Sequence, residues 1–549
     1  MAEPPVAVGL GPGTGVPTPA PSVAGWAAAL AGLVAAGAAL ATGELLAGLD
    51  ARTPSLVLGV AGVFVAQTPG GVVRWSIETF GTSQKAVLVT GIVVVSLVLG
   101  AVFGVIARRH WARGAAGFVG FGVVGGWAAA RGPLSSGVRS WPAAGLATAA
   151  GVFVLWLTLG PRTLAGRWPW GGITDTTGPG LAAPGRSGPG RERRRFLALT
   201  AGAAAYALVA TSVGRWLREA HTVEAARDDV ATRLGLDPGA PAPLPRGVTP
   251  LDRTVPGISP IVTPNADFYR IDTALIAPQI DPADWTLRIT GMVDHEVEID
   301  FDELVGFDPI EQFVTLQCVS NEVGGDLAGN AAWSGVPLRV LLDRAGVRPD
   351  ATQIVGRSID GWTAGFPTAV ALDGRPAMVG VAMNGEPLPV KHGFPARLIV
   401  PGLYGYVSAT KWLTEIELTT WEAFDAYWIP RGWAKEGPIK TQSRIDVPQP
   451  GTTLAARRTP VAGVAWAPTR SIERVEVRID DGPWQEAELS GEISENTWVQ
   501  WLYRWDATPG SHRLAVRATD GTGETQTGEP SPPAPSGATG YHTIAVEVR

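Results

Sequence analysis

The chain has one cysteine, Cys318, among 549 residues. A lone thiol excludes any disulfide within the chain, and the paired Cys/His spacings of structural zinc sites are absent. Two readings of Cys318 remain: an inert, buried small hydrophobe, or a reactive group or metal ligand. Histidine is nearly as scarce. Six occur, and only His110 lies in the first third, in a loop between apolar runs. No histidine pair is therefore present there to ligate a membrane haem. Positive charge is not in excess either. The formal net charge is −6, no basic patch is interleaved with aromatics, and nucleic acid is not an expected partner.

Charge itself is missing from the N-terminal third. Of 94 charged residues, twelve lie among the first 160. A chain this long exceeds one hydrophobic core, and the split in charge marks a membrane-like part and a soluble-like part. Residues 1–22, rich in Pro, Gly and Ala, read as disordered. Residues 23–160 carry five apolar runs (Val23–Leu49, Ser55–Val73, Ala86–Ala107, Gly114–Ala130 and Pro142–Gly160), read as a five-helix transmembrane domain because most reach the length of a hydrocarbon core of about 30 Å. Residues 161–195 form a basic linker, and a sixth run follows at 196–213. The basic loop Arg108–Arg113 and the arginines of the linker place these segments in the cytoplasm. The N-terminus, and everything after the sixth span, then lie outside. Arg193-Arg194-Arg195-Phe196-Leu197 has two readings: a cytoplasmic anchor for the sixth helix, or a twin-arginine export signal for a domain folded with its cofactor before export. Glu44, near the end of its run and close to Asp50, reads as interfacial.

Residues 214–254 read as a tether, and the eight prolines between Asp237 and Pro264 predict an extended segment that wraps the next domain. Residues 255–447 alternate short strands (Trp285–Ile289, Phe313–Gln317, Gln353–Gly356, Arg397–Val400, Ile416–Thr419) with short helices (Phe301–Val305, Leu338–Ala345). From residue 448 the pattern is all-β. Val475, Val477 and Ile479 alternate before Asp480-Asp481-Gly482, which suggests an immunoglobulin-like sandwich over 448–549.

Chemistry-bearing residues concentrate in 255–447. Cys318 ends a strand and faces the polar loop Ser320–Gly325, a place suited to a soft metal. Arg397 offers a bidentate fork to a phosphate and Lys411 a point charge. Gly402 and Gly405 allow close backbone approach, and Ser408 adds a hydroxyl. A glycine-rich turn with solvated basic residues is the plainer alternative.

The order Gln317-Cys318, Asn321, Trp333-x-Gly335, Met383-Asn384-Gly385-x-Pro387-Leu388-Pro389, His392-Gly393-x-Pro395-x-Arg397, Pro401-Gly402 and Lys411-Trp412 resembles the sulfite oxidase family of molybdenum enzymes. The resemblance runs from about Pro256 to the C-terminus. It implies a mixed α+β molybdopterin domain followed by an immunoglobulin-like, dimerisation-type sandwich, here behind an α-helical transmembrane bundle. It implies Mo-molybdopterin as cofactor, with Cys318 as the single protein thiolate on the metal. Asn265, Tyr269, Ser358, His392, Arg397, Ser408 and Lys411 would hold the pterin and its phosphate. Oxo transfer to a small S- or N-containing substrate would occur beside Asn321 and Trp362, with the metal doing the two-electron chemistry. The implied partners are an electron donor or acceptor (quinone or redox protein), the membrane, and a second copy of the chain through the C-terminal domain.

The chain also departs from the family. Sulfite oxidases proper carry arginine directly after the asparagine that follows the metal cysteine, whereas this chain has Glu322 and Val323. Trp362 stands where they place a substrate-pocket tyrosine. An acidic residue at the site of an oxyanion's counter-charge argues against sulfite or nitrate, unless Arg357 or Arg431 compensates. Reduction of a neutral oxide, as in the family's peptide-methionine-sulfoxide reductases, is the alternative activity. A non-catalytic membrane-anchored interaction module is the alternative from another class.

Overall fold

The structure is a computed structural model and describes residues 24–50, 53–80, 83–132, 137–160, 189–220, 222–236 and 243–549. The expected disordered segment 1–22, and residues 161–188 of the basic linker, lie outside the described residues. The described chain divides into a helical unit, up to residue 66 and from 83 to 220, and a second unit of residues 67–82 and 221–549.

The helical unit contains α1 (Gly25–Leu49), α2 (Leu56–Gln67), α4 (Gln84–Arg109), α5 (Trp111–Ala130), α6 (Gly137–Leu159) and α7 (Pro189–Ala220), while α3 (Gly70–Phe80) groups with the second unit. Among the described residues, four helices are long and apolar enough to cross a membrane: α1, α4, α6 and Arg194–Arg218 of α7. The run Ser55–Val73 is not one helix. Its helix stops at Gln67 after 12 residues, about 18 Å at 1.5 Å per residue, because Pro69 cannot continue it. Small residues set the packing. A Cβ on Gly32 would collide with the backbone of Gly100 and Gly104, and one on Gly48 with Gly214, so α1 meets α4 and α7 backbone to backbone. Glu44 and Asp50 are paired. Arg218 Nη2 lies 2.7 Å from Glu44, whose other oxygen accepts from the Ser55 hydroxyl, and Arg139 lies 2.6 Å from Asp50.

In the second unit, α8 (Glu224–Arg233) precedes two sheets that carry the candidate site. One runs β2 (Val297–Asp300), β1 (Thr286–Gly291), β10 (Leu413–Thr419), β5 (Gln353–Ser358), β6 (Thr363–Pro367). The other runs β3 (Ile310–Gln317), β4 (Ala328–Pro337), β7 (Met378–Met383), β8 (Glu386–Pro387), with β9 (Arg397–Ile399) also paired to β7. Helices α9 (Phe301–Val305) and α10 (Leu338–Ala345) take the bounds read from the sequence. Asp300 caps α9 by accepting from Glu303 N, and Gly346, left-handed at φ 69°, ends α10. Leu316, Trp333, Leu341, Ile354, Phe394 and Ile416 share one core.

The C-terminal strands form a sandwich of two mainly antiparallel sheets. One comprises Gln442–Val447, Arg458–Trp466, Val499–Asp506 and Glu488–Leu489; the other is built on His542–Val548, Gly510–Asp520 and Ile472–Ile479. Val461, Val475, Val477, Trp501, Leu514 and Val516 fill the space between them. The proline-rich tether packs on this sandwich and also reaches the sheets that follow it in sequence, where Thr263 N donates to Asn330 O at 2.7 Å and Asn330 Nδ2 donates to Ile261 O at 2.8 Å. Leu251, Val255 and Ile258 pack with Ala462 and Leu502, and Leu251 N donates to Gln500 Oε1 at 2.7 Å.

Candidate active site

Cys318 follows the last residue of β3, so the strand presents its thiol at the sheet's end. The residue is buried, and Ser320 N donates to its Sγ at 3.4 Å. Its loop is closed from within: Cys318 N donates to Leu327 O at 2.9 Å, Asn321 N to Cys318 O at 3.0 Å, and Leu327 N to Asn321 Oδ1 at 2.8 Å. Burial raises the thiol's pKa, while the Ser320 hydrogen bonds and the Lys411 charge oppose it.

His392 ends a turn of 3₁₀ helix, and Gly393 stops that turn at φ 115°. The His392 ring is buried, and its Nε2 sits 3.2 Å from Asn265 O. A carbonyl only accepts, so Nε2 carries the proton and Nδ1 is a bare acceptor. Burial, then the charges of Lys411 and Arg397, push the imidazole down to about 3, which keeps it neutral. Arg397, at the start of β9, donates through Nη1 to His392 O at 2.9 Å and lies 4.9 Å from the Trp333 ring centroid. Burial lowers it to about 10, so it stays charged at neutral pH. Lys411 Nζ reaches Ile271 O and Lys391 O at 3.2 Å and Asp272 Oδ2 at 3.5 Å. Burial pulls it down to about 8 against the opposing pull of Asp272.

Tyr269 stacks on Phe268, and burial followed by the Cys318 charge raises its phenol. Its hydroxyl is 3.7 Å from where a Cβ on Gly405 would stand. The structure thus brings Cys318, Asn321, Tyr269, His392, Arg397 and Lys411 into one buried constellation. The Asn265 side chain is engaged elsewhere: its Nδ2 donates to Met383 O at 3.1 Å and its Oδ1 accepts from Asn384 Nδ2 at 2.9 Å. Ser358, Trp362 and Ser408 are held in their own turns. Ser358 Oγ accepts from Asp360 N at 3.4 Å, Trp362 N donates to Asp360 Oδ1 at 3.1 Å, and Ser408 Oγ donates to Tyr404 O at 3.1 Å.

Two neighbours take no role from the sequence, although Asn384 stands within the Met383-Asn384-Gly385 motif. Asn384, at φ 53°, joins three strands of chain: its Oδ1 accepts from Ala332 N at 2.9 Å, and its Nδ2 donates to Thr263 O and Asn265 Oδ1. Tyr404 is buried within electrostatic reach of Cys318, and burial raises its phenol to about 12. Four polar atoms here are buried without a hydrogen-bond partner: Asn321 Nδ2, His392 Nδ1, Arg397 Nε and Tyr404 OH. Such atoms cost about 1–3 kcal/mol each when left unpaired. Donors and an acceptor together suit a polar heterocycle carrying negative charge.

Near the expected substrate side, Glu322 is exposed. Arg357 Nε donates to Glu417 Oε2 at 2.8 Å, and its guanidinium lies 4.9 Å from the Phe424 ring. Arg431 lies 3.8 Å over the Tyr427 ring and donates to Tyr427 O at 2.6 Å. Among the described residues, no group of three or more His, Cys, Asp or Glu could hold a metal ion.

Residues 274–428 match the oxidoreductase molybdopterin binding domain. Mitochondrial sulfite oxidase of Rattus norvegicus is 30% identical across 44% of this chain and 52% of its own length. The uncharacterized oxidoreductase YuiH of Bacillus subtilis (strain 168) is 32% identical across 29% of this chain and 76% of its own. The solved sulfane dehydrogenase SoxCD of Paracoccus pantotrophus superposes with a TM-score of 0.46 at 24% identity, covering 54% of this chain and 82% of that one. The chain spans about half the length of the sulfite oxidases it matches.

Proposed function

The chain belongs to the sulfite oxidase family of molybdopterin oxidoreductases, and on that premise we propose that it is a membrane-anchored enzyme working outside the cytoplasmic membrane on a small S- or N-containing substrate. The observation that carries the reading is the set of four unpartnered polar atoms around a single buried thiol. These residues fit a molybdenum cofactor. Cys318 would give the metal its one protein ligand. His392 Nδ1, Arg397 Nε and Tyr269 would meet the pterin, and Arg397 and Lys411 its phosphate. Ser358 and Ser408 would contribute only after leaving their present hydrogen bonds, and Asn265 acts through its carbonyl on His392. When bound, the cofactor supplies two-electron oxo transfer.

The chain's own residues prepare the rest. Burial excludes water from the thiol. The neutral His392 donates to Asn265 O through Nε2 and offers Nδ1 as an acceptor. Arg397 stays protonated in a medium where its attraction for a phosphate is strong. Asn321 and Trp362 would face the substrate. Arg357, one of the two arginines that could supply an oxyanion's counter-charge, is engaged by Glu417. This favours a neutral oxide, of the kind a peptide-methionine-sulfoxide reductase consumes, as the alternative to sulfite. Electrons would come from or go to a quinone or a redox protein.

Metal analysis tests the reading. Wild-type protein should carry about one molybdenum per chain and Cys318→Ser almost none. Equal molybdenum in both proteins sinks it. A substrate screen of S- and N-oxides against sulfite then separates the two activities.

A further inference from the structure

The loop that carries Cys318 is held from inside by Asn321 and Leu327, and from outside by the C-terminal sandwich. Gln317 immediately precedes the thiol and is 1% exposed. Both polar atoms of its side chain bind sandwich residues. Trp466 Nε1 donates to Gln317 Oε1 at 2.8 Å, and Gln317 Nε2 donates to Gln442 Oε1 at 3.2 Å. Gln442 is itself fixed through Nε2 to Ala538 O at 3.0 Å. Gln317 therefore cannot rotate, and Cys318 cannot swing, without breaking buried hydrogen bonds.

The far side of the loop is fixed in the same way. Arg444 is buried and donates from Nη1 to Gly325 O at 2.6 Å, from Nε to Asp446 Oδ1 at 2.6 Å and from Nη2 to Ser259 Oγ at 2.7 Å. Gly324, left-handed at φ 80°, presses on the His542 ring, leaving no room for a Cβ. His542 Nδ1 accepts from Ile445 N at 3.0 Å, which locks that ring in place. One strand back, Thr315 N donates to Asn496 O at 2.9 Å, and Thr315 Oγ1 accepts from Trp498 N at 2.8 Å. Domains that merely pack meet mainly through apolar surface. Here a buried polar set converges on both ends of one loop.

We propose that the sandwich positions the Cys318 loop, with Gln317 and Arg444 as the positioning residues and Trp466 and Gln442 holding Gln317. The inference rests on Cys318 being the metal thiolate. It gives the C-terminal domain a task inside each chain, independent of any pairing of two copies.

Because Cys318 is the sole cysteine, thiol labelling reports on this loop alone. The test uses full-length protein purified in detergent without its cofactor, alkylated with iodoacetamide under native conditions and followed by mass spectrometry. Trp466→Phe and Arg444→Met should each raise the alkylation rate about tenfold by making loop opening easier, and Trp466→Phe should do so with the thermal midpoint little changed. Arg444→Lys should recover part of the protection. Arg504→Gln, which breaks an exposed pair with Glu488, should alkylate at the wild-type rate. Rates within about twofold of wild type for both Trp466→Phe and Arg444→Met overturn the proposal. If Arg444→Met does not fold, Trp466→Phe decides alone. Molybdenum content separates this from the underlying reading. Metal retained in Cys318→Ser removes the thiolate and the proposal with it. Metal lost there, with alkylation unchanged in the sandwich variants, removes only the positioning role.

Discussion

His392, Arg397 and Lys411 share a low-dielectric site, and each is pushed toward its neutral form by burial. The consequences differ in sign for binding and for stability. Lys411, held near 8, is charged at pH 7 and neutral at pH 9. Uptake of the phosphorylated pterin by cofactor-free protein should therefore fall as pH rises through about 8. Fluorescence of the released, oxidised pterin measures this, and Lys411→Arg should flatten the profile because a guanidinium keeps its proton. Stability runs the other way. Between about 8 and the ordinary 10.5 the unfolded chain holds the extra proton, so the cofactor-free fold gains stability with rising pH there. His392 acts lower on the scale. Its folded value of about 3 lies below the ordinary 6.5, so the unfolded chain binds the extra proton between these values. Stability should fall as pH drops from 6.5 toward 3. His392→Gln should remove that part of the slope in denaturant titrations of the cofactor-free protein. Of the site's residues, the basic ones and Cys318 were legible as a motif with fixed spacing. The unpartnered hydroxyl of Tyr404 was not, because it is created by burial: the loop at Gly537, far downstream, closes against its ring.

Among the elements, the turn Val390–His392 matters most, since Gly393 ends it and sets the separation of the two basic side chains. A Cβ at Gly393 would stand 3.1 Å from Arg397 Cβ and 3.1 Å from Lys411 Cα, on backbone at φ 115°. Gly393→Ala should cost about 1–3 kcal/mol and lower cofactor content more than an alanine placed at solvent-exposed Gly374, another left-handed glycine with nothing within 4 Å. Thermal unfolding and molybdenum analysis of the two variants make the comparison. Elements governed by local chemistry were readable. Phe301–Val305 starts at an aspartate cap, and Leu338–Ala345 stops at a left-handed glycine. Elements whose partners are distant in sequence were not. The proline-rich tether bonds Asn330 of the next domain through Ile261 and Thr263, but nothing in the sequence shows that Leu251, Val255 and Ile258 find apolar partners at Ala462 and Leu502 of the sandwich. The break in the second apolar run was written locally, in Pro69, but hydropathy summed over the run conceals it. The hold of the sandwich on Gln317 could not be read at all, since Gln442 and Trp466 lie 125 and 149 residues away.

At the scale of the whole molecule, the apolar helices and the cofactor domain pose one problem of assembly. A molybdenum cofactor enclosed by buried groups must be inserted during or before the last step of folding. Cys318, His392 and Arg397 are nearly inaccessible once the domain closes. If insertion occurs in the cytoplasm and the domain works outside, the folded domain has to cross the membrane behind α7. The sequence Arg193-Arg194-Arg195-Phe196-Leu197 at the start of that helix is then an export signal and not only a cationic anchor. The two roles separate on substitution. Arg193→Lys combined with Arg194→Lys keeps the positive charge that orients the helix but removes the paired guanidinium groups. The doubly substituted protein should remain membrane-bound and carry molybdenum, with its C-terminal domain now protected from protease added outside the cell. Protease cleavage equal to wild type, with cofactor still in place, would show that charge alone suffices and that the arginines serve only as an anchor.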